Sequence, residues 1–375
     1  MGHGEWNSRN RFERELYLMM STPQRSDPLS ENPSSSVGLG RGILLWVLFF
    51  LICFGLGYAT LNRYDPRATG VSDTIAYYQI VTRGPTANLE FKQFRVLVPF
   101  LARPFYRLAE GRVGTWDPVF FGLLMANSLL VATTAFLLAR IGDQQVGDLP
   151  VALLGATIYL LNFDVPNLRL AGLIDAGEGC FLMVLIWAMF TGRWWLLPFC
   201  GVLGASTKES FVPLSTVLVC TWWLVSSRQR VSKVSRALWV AVMVLAEVAT
   251  FIFLHAWLTG HIVWPWEFAP TLSGGPNYVR RFVGAFVDRQ SWYSFMWLLP
   301  LGVWRVDQLA RPWGMACLTT ALMSLFLNAY HVAGPGAWGR EVFSIAGPFL
   351  SLCVALLLSR PACSVAGNRG VEGDL

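Results

Sequence analysis

From Gly42 to Leu358 the chain is a succession of long apolar runs separated by short polar breaks. Runs such as VALLGATIYLLN and LWVAVMVLAEVATFIFLHAWL are apolar on every face. A helix inside a bilayer has that pattern, whereas a barrel strand alternates apolar and polar residues over about ten positions. The pattern predicts an all-α fold, a polytopic transmembrane helical bundle of about ten spans. These are Gly42 to Leu61, Asp117 to Ala139, Pro150 to Leu161, Gly179 to Phe190, Trp194 to Ala205, Phe211 to Ser226, Ala237 to Leu258, Tyr293 to Trp304, Gly314 to Tyr330 and Val342 to Leu358. Several fall short of the ~20 residues a crossing needs. They either extend into adjoining polar residues or are broken segments enclosed by protein.

The ends of the chain are polar. Residues 1–40, with the run SDPLSENPSSSVG, cannot bury a core and are predicted to form a disordered cytoplasmic tail. That tail is too long and too polar for a cleaved signal, so the first span is expected to be a retained anchor. Residues 41–359 form the integral membrane domain, with 62–116 as a long outer loop, and 360–375 form a second cytoplasmic tail.

Within that loop, FKQFRVLVPFLARPFYRLAEG sorts into two faces at about 100° per residue. Lys92, Arg95, Arg103 and Arg107 share one arc, opposite Phe91, Phe94, Leu97, Val98, Leu101, Phe105 and Leu108. This predicts an amphipathic interfacial helix, in two pieces because of Pro99 and Pro104. Its cations either anchor to headgroups or meet a phosphate-bearing lipid.

Sidedness follows from the short loops, where Lys and Arg mark the cytoplasmic face. The segment RQRVSKVSR, with Arg228, Arg230, Lys233 and Arg236, is placed inside. Alternation then puts Arg140, Arg193, Arg305, Arg311 and both termini inside as well. The opening loop, NFDVPNLRLAGLIDAGEG, TKES, the loop from Thr259 to Trp292 and HVAGPGAWGRE fall outside. The opening loop carries eight Lys and Arg residues against this rule, but it is long, and the rule weakens in long loops.

Composition agrees: 54% hydrophobic, 14% aromatic and only 14% charged residues place the chain among integral membrane proteins. The net charge of +6 would suggest nucleic acid in a soluble protein; here the cations sit in loops, so topology and anionic lipid account for them. The seven cysteines contain no CxxC pair and read as small core residues.

Chemistry is confined to the polar breaks. In YDPRATGVSDTIAYYQ, Asp65 and Asp73 enter an otherwise apolar chain, and Asp73 follows Ser72 at the start of a short helix closed by Gly84-Pro85. Asp73 either favours the helix dipole or does chemistry. Asp164, Arg169, Asp175 and Glu178 lie in a break at membrane depth, where ionisable groups are costly and mark function or pair with one another. Asp175 and Glu178, three apart, share a helix face. Lys208 and Glu209 occupy a tight turn, where they either pair or offer a cation to phosphate. Gly334, Pro335 and Gly336 make a turn ahead of Arg340 and Glu341, and Arg340 either grips phosphate oxygens, snorkels or pairs with Glu341. His255, His261 and Glu267 have no metal-ligand spacing, and Trp264, Trp266, Trp292 and Trp297 read as an interfacial belt.

Asp73 followed by Tyr77 and Tyr78 in the first outer loop, an amphipathic region, Lys208-Glu209 between spans and Arg340 in a late outer loop together resemble the GT-C superfamily of polytopic glycosyltransferases. The resemblance implies a sugar moved from a polyprenyl-phosphate donor to a lipid-linked or other glycan acceptor on the outer face, with Asp73, or less favoured Asp65, as the catalytic acid. Together with the charged residues of the polar breaks and the interfacial helix, it makes Arg95, Arg103, Arg107, Asp164, Asp175, Glu178, Lys208, Glu209 and Arg340 the candidate substrate contacts. The eight-residue gap between Asp65 and Asp73 is not the spacing of an acidic pair; no cofactor is assigned, and a divalent cation stays open as an alternative that the spacing does not support. A bacterial inner membrane with cytoplasmic termini is the expected host. The alternative is a transporter or flippase of a lipid-linked or anionic substrate, with Asp175 and Glu178 as coupling groups.

Overall fold

The computed structural model describes residues 38–63, 73–114, 116–226, 231–268, 277–287, 289–330 and 337–359. Among them every regular element is helical. The chain divides into Met1–Gly42 and Ile43–Leu375, and the packing below belongs to the second unit. Both predicted tails beyond these residues, together with Asp65, Ser72, Arg228, Arg230 and Gly334 to Gly336, lie outside the described residues.

The first apolar run forms α1 (Leu39–Leu61). A short α2 (Thr74–Arg83) follows, then a 3-10 segment Ala87–Phe94 and α3 (Leu97–Ala109). The break between the last two falls at Arg95 and Val96, not at either proline. Pro99 sits in the first turn of α3, where its missing N–H costs nothing, and Pro104 is accommodated inside the helix.

Local chemistry sets the next reversal. Asp117 caps α4 (Pro118–Val146), accepting from the Val119 N–H at 2.7 Å and the Phe120 N–H at 3.3 Å. Gly147, at φ +71°, ends α4 in the left-handed region. Asp148 then caps α5 (Leu149–Leu161), with Pro150 in its first turn. Asn162 to Leu170 include a π turn, Val165–Arg169, that leads to α6 (Asp175–Phe190). Two short helices, α7 (Leu197–Ala205) and α8 (Phe211–Val225), flank the Lys208 turn. Ser232 caps α9 (Lys233–Thr259), and left-handed Gly260 ends it. The amphipathic α10 (Tyr278–Val287), a broken passage through α11 (Leu298–Gly302), then α12 (Arg311–Tyr330) and α13 (Ala337–Ser359) complete the chain.

Among the described residues four helices are long and apolar enough to cross a membrane: Gly40–Leu61, Pro118–Val146, Lys233–Thr259 and Gly339–Ser359. The described residues thus form an all-helical structure with the helices of a membrane protein. Helices α4 and α13 are mostly enclosed, whereas α1 and α9 present most of their apolar side chains outward. Close approach inside relies on small residues: a Cβ on Gly142 of α4 would come within 2.9 Å of Ala152 on α5. Among the described residues six cysteines are free thiols, five of them buried.

The short helices α5, α6, α7 and α8 place their polar flanks together. The C-terminal side of α5, the first turns of α6 and α13 and the α7–α8 turn meet through the side chains of Asp164, Asp175, Lys208 and Glu341. The backbone joins this end as well, where the Leu97 N–H at the head of α3 donates to the Ser206 carbonyl at 3.0 Å.

Candidate functional site

The network starts at Asp73. The residue stands at the N-cap position of α2, but its carboxylate makes no cap hydrogen bond. It turns instead to Lys92 at 3.2 Å and Arg95 at 3.8 Å. Arg95 falls in the break after the 3-10 segment, so its side chain leaves the polar arc expected of one continuous helix and is buried. Its fork grips Glu209, with Nε 2.8 Å from Oε2 and Nη2 against Oε1, while Nη1 donates to the Tyr77 hydroxyl at 3.1 Å. Arg95 thus joins the opening loop to the α7–α8 turn.

Lys208 and Glu209 do not pair with each other. Their side chains diverge, as neighbours in sequence do. Lys208 is buried among three carboxylates: Glu341 at 2.8 Å, Asp175 at 3.2 Å and Glu178 at 3.8 Å. Burial alone would favour the neutral amine, but Glu178, Glu341 and Asp175 outweigh it and hold Lys208 above the usual lysine range. Glu209 is the mirror case: burial opposes its charge, and Arg95 overcomes that and keeps the carboxyl below its ordinary range. The expectation that Asp175 and Glu178 share a face is met, since both reach the one ammonium.

A further cation closes the buried side. Arg169 is fully buried and binds Asp164 at 2.7 Å. It also donates to the carbonyls of Asp175 at 2.9 Å and Arg340 at 3.1 Å and to the Ser344 hydroxyl at 2.9 Å. One guanidinium therefore fixes the first turns of α6 and α13 together. Arg340 itself faces Asp175 at 3.6 Å, not its neighbour Glu341. Hydroxyl and amide donors satisfy the remaining acids: Ser210 reaches Glu178 at 2.8 Å, and Asn328 and Ser324 reach Glu341 at 2.8 and 3.3 Å.

Glycines make this packing possible. A Cβ on Gly177 would lie 2.7 Å from Thr207 Cγ2 and 2.9 Å from Val98 Cγ2, and one on Gly179 would lie 2.6 Å from Arg169 Nη1. The first turn of α6 is in this way pressed against the α7–α8 turn, α3 and Arg169.

The other expected contacts fall elsewhere. Arg103 donates to the Ile80 and Val81 carbonyls at 2.8 and 3.1 Å, closing the C-terminus of α2. Arg107 is exposed on α3. Tyr78 donates to Asp117 at 2.9 Å, and burial together with that carboxylate pushes its hydroxyl up to about 12. His255 stacks on Phe94 with ring centroids 3.7 Å apart, so it serves packing. No group of three or more His, Cys, Asp or Glu residues suited to a metal occurs among the described residues. Trp264, Trp292 and Trp297 are exposed. An open groove of about 350 Å³ beside α3 and α4, lined by Phe105, Leu108, Arg112 and Phe121 among others, lies apart from these charges and supplies no chemistry.

Two features of the cluster are not evident from sequence. Lys92 enters as the closest partner of Asp73, and Glu341 enters as the closest partner of Lys208. The six carboxylates Asp73, Asp164, Asp175, Glu178, Glu209 and Glu341 face five cations, Lys92, Arg95, Arg169, Lys208 and Arg340. Among the acids the Asp73 side chain is the most accessible, at 24%, against 15% for Glu209 and 12% or less for the rest.

No protein-family model matches the chain, and no curated protein matches it.

Proposed function

We propose that the chain is a membrane glycosyltransferase of the GT-C type, moving a sugar from a polyprenyl-phosphate donor to a lipid-linked or other glycan acceptor at the outer face. The observation that carries this reading is the position of Asp73: a carboxylate whose side chain makes no cap hydrogen bond, the most accessible acid of a charged cluster, with the cations Lys92 and Arg95 at 3.2 and 3.8 Å. In an inverting transfer Asp73 takes the proton of the acceptor hydroxyl as its oxygen attacks the anomeric carbon. The bond from that carbon to the phosphate oxygen breaks, and polyprenyl phosphate leaves with the electron pair. The leaving group is already a stabilised anion, so positioning, one base and cations on the phosphate suffice.

Accessibility selects those cations. Lys92 and Arg340, with side chains 27% and 19% accessible, can turn to a phosphate, with Arg95 behind them. Lys208 and Arg169 are committed to carboxylates and hold the frame. Arg103 supports α2, and Arg107 is left for headgroups. In this reading the polar end is the outer face of a bacterial inner membrane, the chain crosses about ten times, α3 lies in the interface and the termini are cytoplasmic.

One observation favours a second reading, a transporter or flippase: among the described residues the network holds one more carboxylate than cations, a surplus suited to carrying a proton. The two separate in a reconstituted assay. Vesicles holding the purified protein are given radiolabelled polyprenyl-phosphate hexoses and pentoses with lipid-linked glycan acceptors. The transferase reading expects label on the acceptor, needing Asp73. Movement of labelled lipid across acceptor-free vesicles, lost in the Asp175→Asn, Glu178→Gln double variant, would establish the transporter instead.

A further inference from the structure

A carboxyl outside the charged cluster stands alone within α9. Glu247 is fully buried in the run VLAEVAT, ~20 Å from either end of Lys233–Thr259 at about 1.5 Å per residue. That helix is one of the four able to cross a membrane. Its carboxyl has partners on two neighbouring helices. Gly201 of α7 leaves the room it occupies, since a Cβ there would come within 2.9 Å of Glu247 Cγ and 3.3 Å of Oε1. From α8, Ser215 Oγ lies 2.7 Å from Oε1 and Thr216 Oγ1 lies 3.4 Å from Oε2. The titratable groups facing it are the thiols of Cys200 on α7 and Cys220 on α8. Among the described residues it has no cationic partner.

Proton counting at Ser215 decides its state. Ser215 Oγ lies 2.7 Å from Glu247 Oε1 and also 2.7 Å from the Phe211 carbonyl, with the Val212 carbonyl at 3.1 Å. A serine hydroxyl has one proton to give. With Glu247 ionised, both oxygens 2.7 Å from Ser215 Oγ are acceptors only, so its single proton serves one of these short contacts and the other has no proton between its oxygens. With a proton on Glu247, the carboxyl donates to Ser215 and Ser215 donates to Phe211, so both contacts become hydrogen bonds. An unpaired charge at that depth would also carry a large desolvation cost, which the neutral acid avoids.

We infer that Glu247 is a proton-binding site within the membrane-crossing part of the chain, holding its proton at neutral pH and tying α9 to α7 and α8 through that proton. Loss of the proton would draw the Ser215 hydroxyl away from Phe211, the first residue of α8. The Phe211 N–H is bonded in turn to the Lys208 carbonyl at 3.1 Å. Occupancy of this site is therefore linked to the turn that carries Lys208 and Glu209. The inference does not depend on the glycosyl-transfer reading.

The test is an infrared difference spectrum between wild-type protein and Glu247→Gln, in detergent at pH 7, in H2O and D2O. The expected result is a protonated-carboxyl C=O band that disappears in Glu247→Gln, shifts down in D2O and moves in Ser215→Ala. The melting temperature of Glu247→Gln should be unchanged, because an amide still donates to Ser215. If the variant loses an ionised carboxylate band and no acid band, the inference is overturned. Should Glu247→Gln fail to fold, Ser215→Ala alone decides: an acid band that moves supports the site, and no acid band responding to that change overturns it.

Discussion

Arg95 shows what a residue's position in the chain can hide. Projected on one helix it shares an arc with Lys92, Arg103 and Arg107, but the helix is interrupted at Arg95 itself, so the projection does not hold across it. The guanidinium turns inward to Glu209 and Tyr77. Removing one member of a buried pair leaves the other charge uncompensated, at about 3–5 kcal/mol. Arg95→Met should therefore lower the melting temperature markedly, and adding Glu209→Gln should recover part of the loss, as thermal unfolding in detergent would measure. The pair also sets a pH dependence. The folded Glu209 carboxyl lies below its ordinary range, so its stabilisation is complete above the unfolded carboxylate pKa and is lost as pH falls through the lower folded value. Melting temperature followed downward from neutral pH should fall less steeply in Glu209→Gln than in wild type. That Asp164, Asp175, Glu178, Lys208 and Arg340 stand out was legible in the sequence, because charge in an apolar chain is conspicuous. Their partners were not, since they lie far apart in sequence. Glu247 was equally visible as a lone acid in an apolar run but has no polar neighbour in sequence to draw attention to it.

At the scale of elements, the apolar runs located most of the helices, and local turn chemistry sets their ends. Asp117-Pro118, Gly147-Asp148-Leu149-Pro150 and Ser232 do in the structure what capping residues do anywhere. The short lengths of α5, α6 and α7 are explained by the polar end they serve, since each stops or starts where charged side chains from its neighbours must meet. The close approach of α6 was not legible, because a glycine's function depends on what lies across from it. Gly177→Val would drive its side chain into Thr207 and Val98, an overpacking of about 1–3 kcal/mol. It should also displace Asp175 and Glu178 from Lys208. We expect a lower melting temperature with a greater loss of activity than the stability change explains, measured on the folded fraction at low temperature.

For the whole molecule, the proposed function requires the polar end to lie outside. Cysteine introduced at the exposed position Glu110, in a background lacking the native cysteines, should react with an impermeant maleimide on intact cells, whereas one at Ser232 should react only after permeabilisation. The reverse pattern would put the cluster in the cytoplasm and remove the outer-face assignment. On the proposed function, Asp73, the accessible carboxylate at that end, does base chemistry. Asp73→Asn is to be compared with wild type in the same vesicles, measuring both binding of the polyprenyl-phosphate sugar and its transfer to acceptor. Loss of a general base predicts transfer reduced by about 10²–10⁴-fold with donor binding retained; transfer at the wild-type rate by a folded Asp73→Asn protein would contradict it.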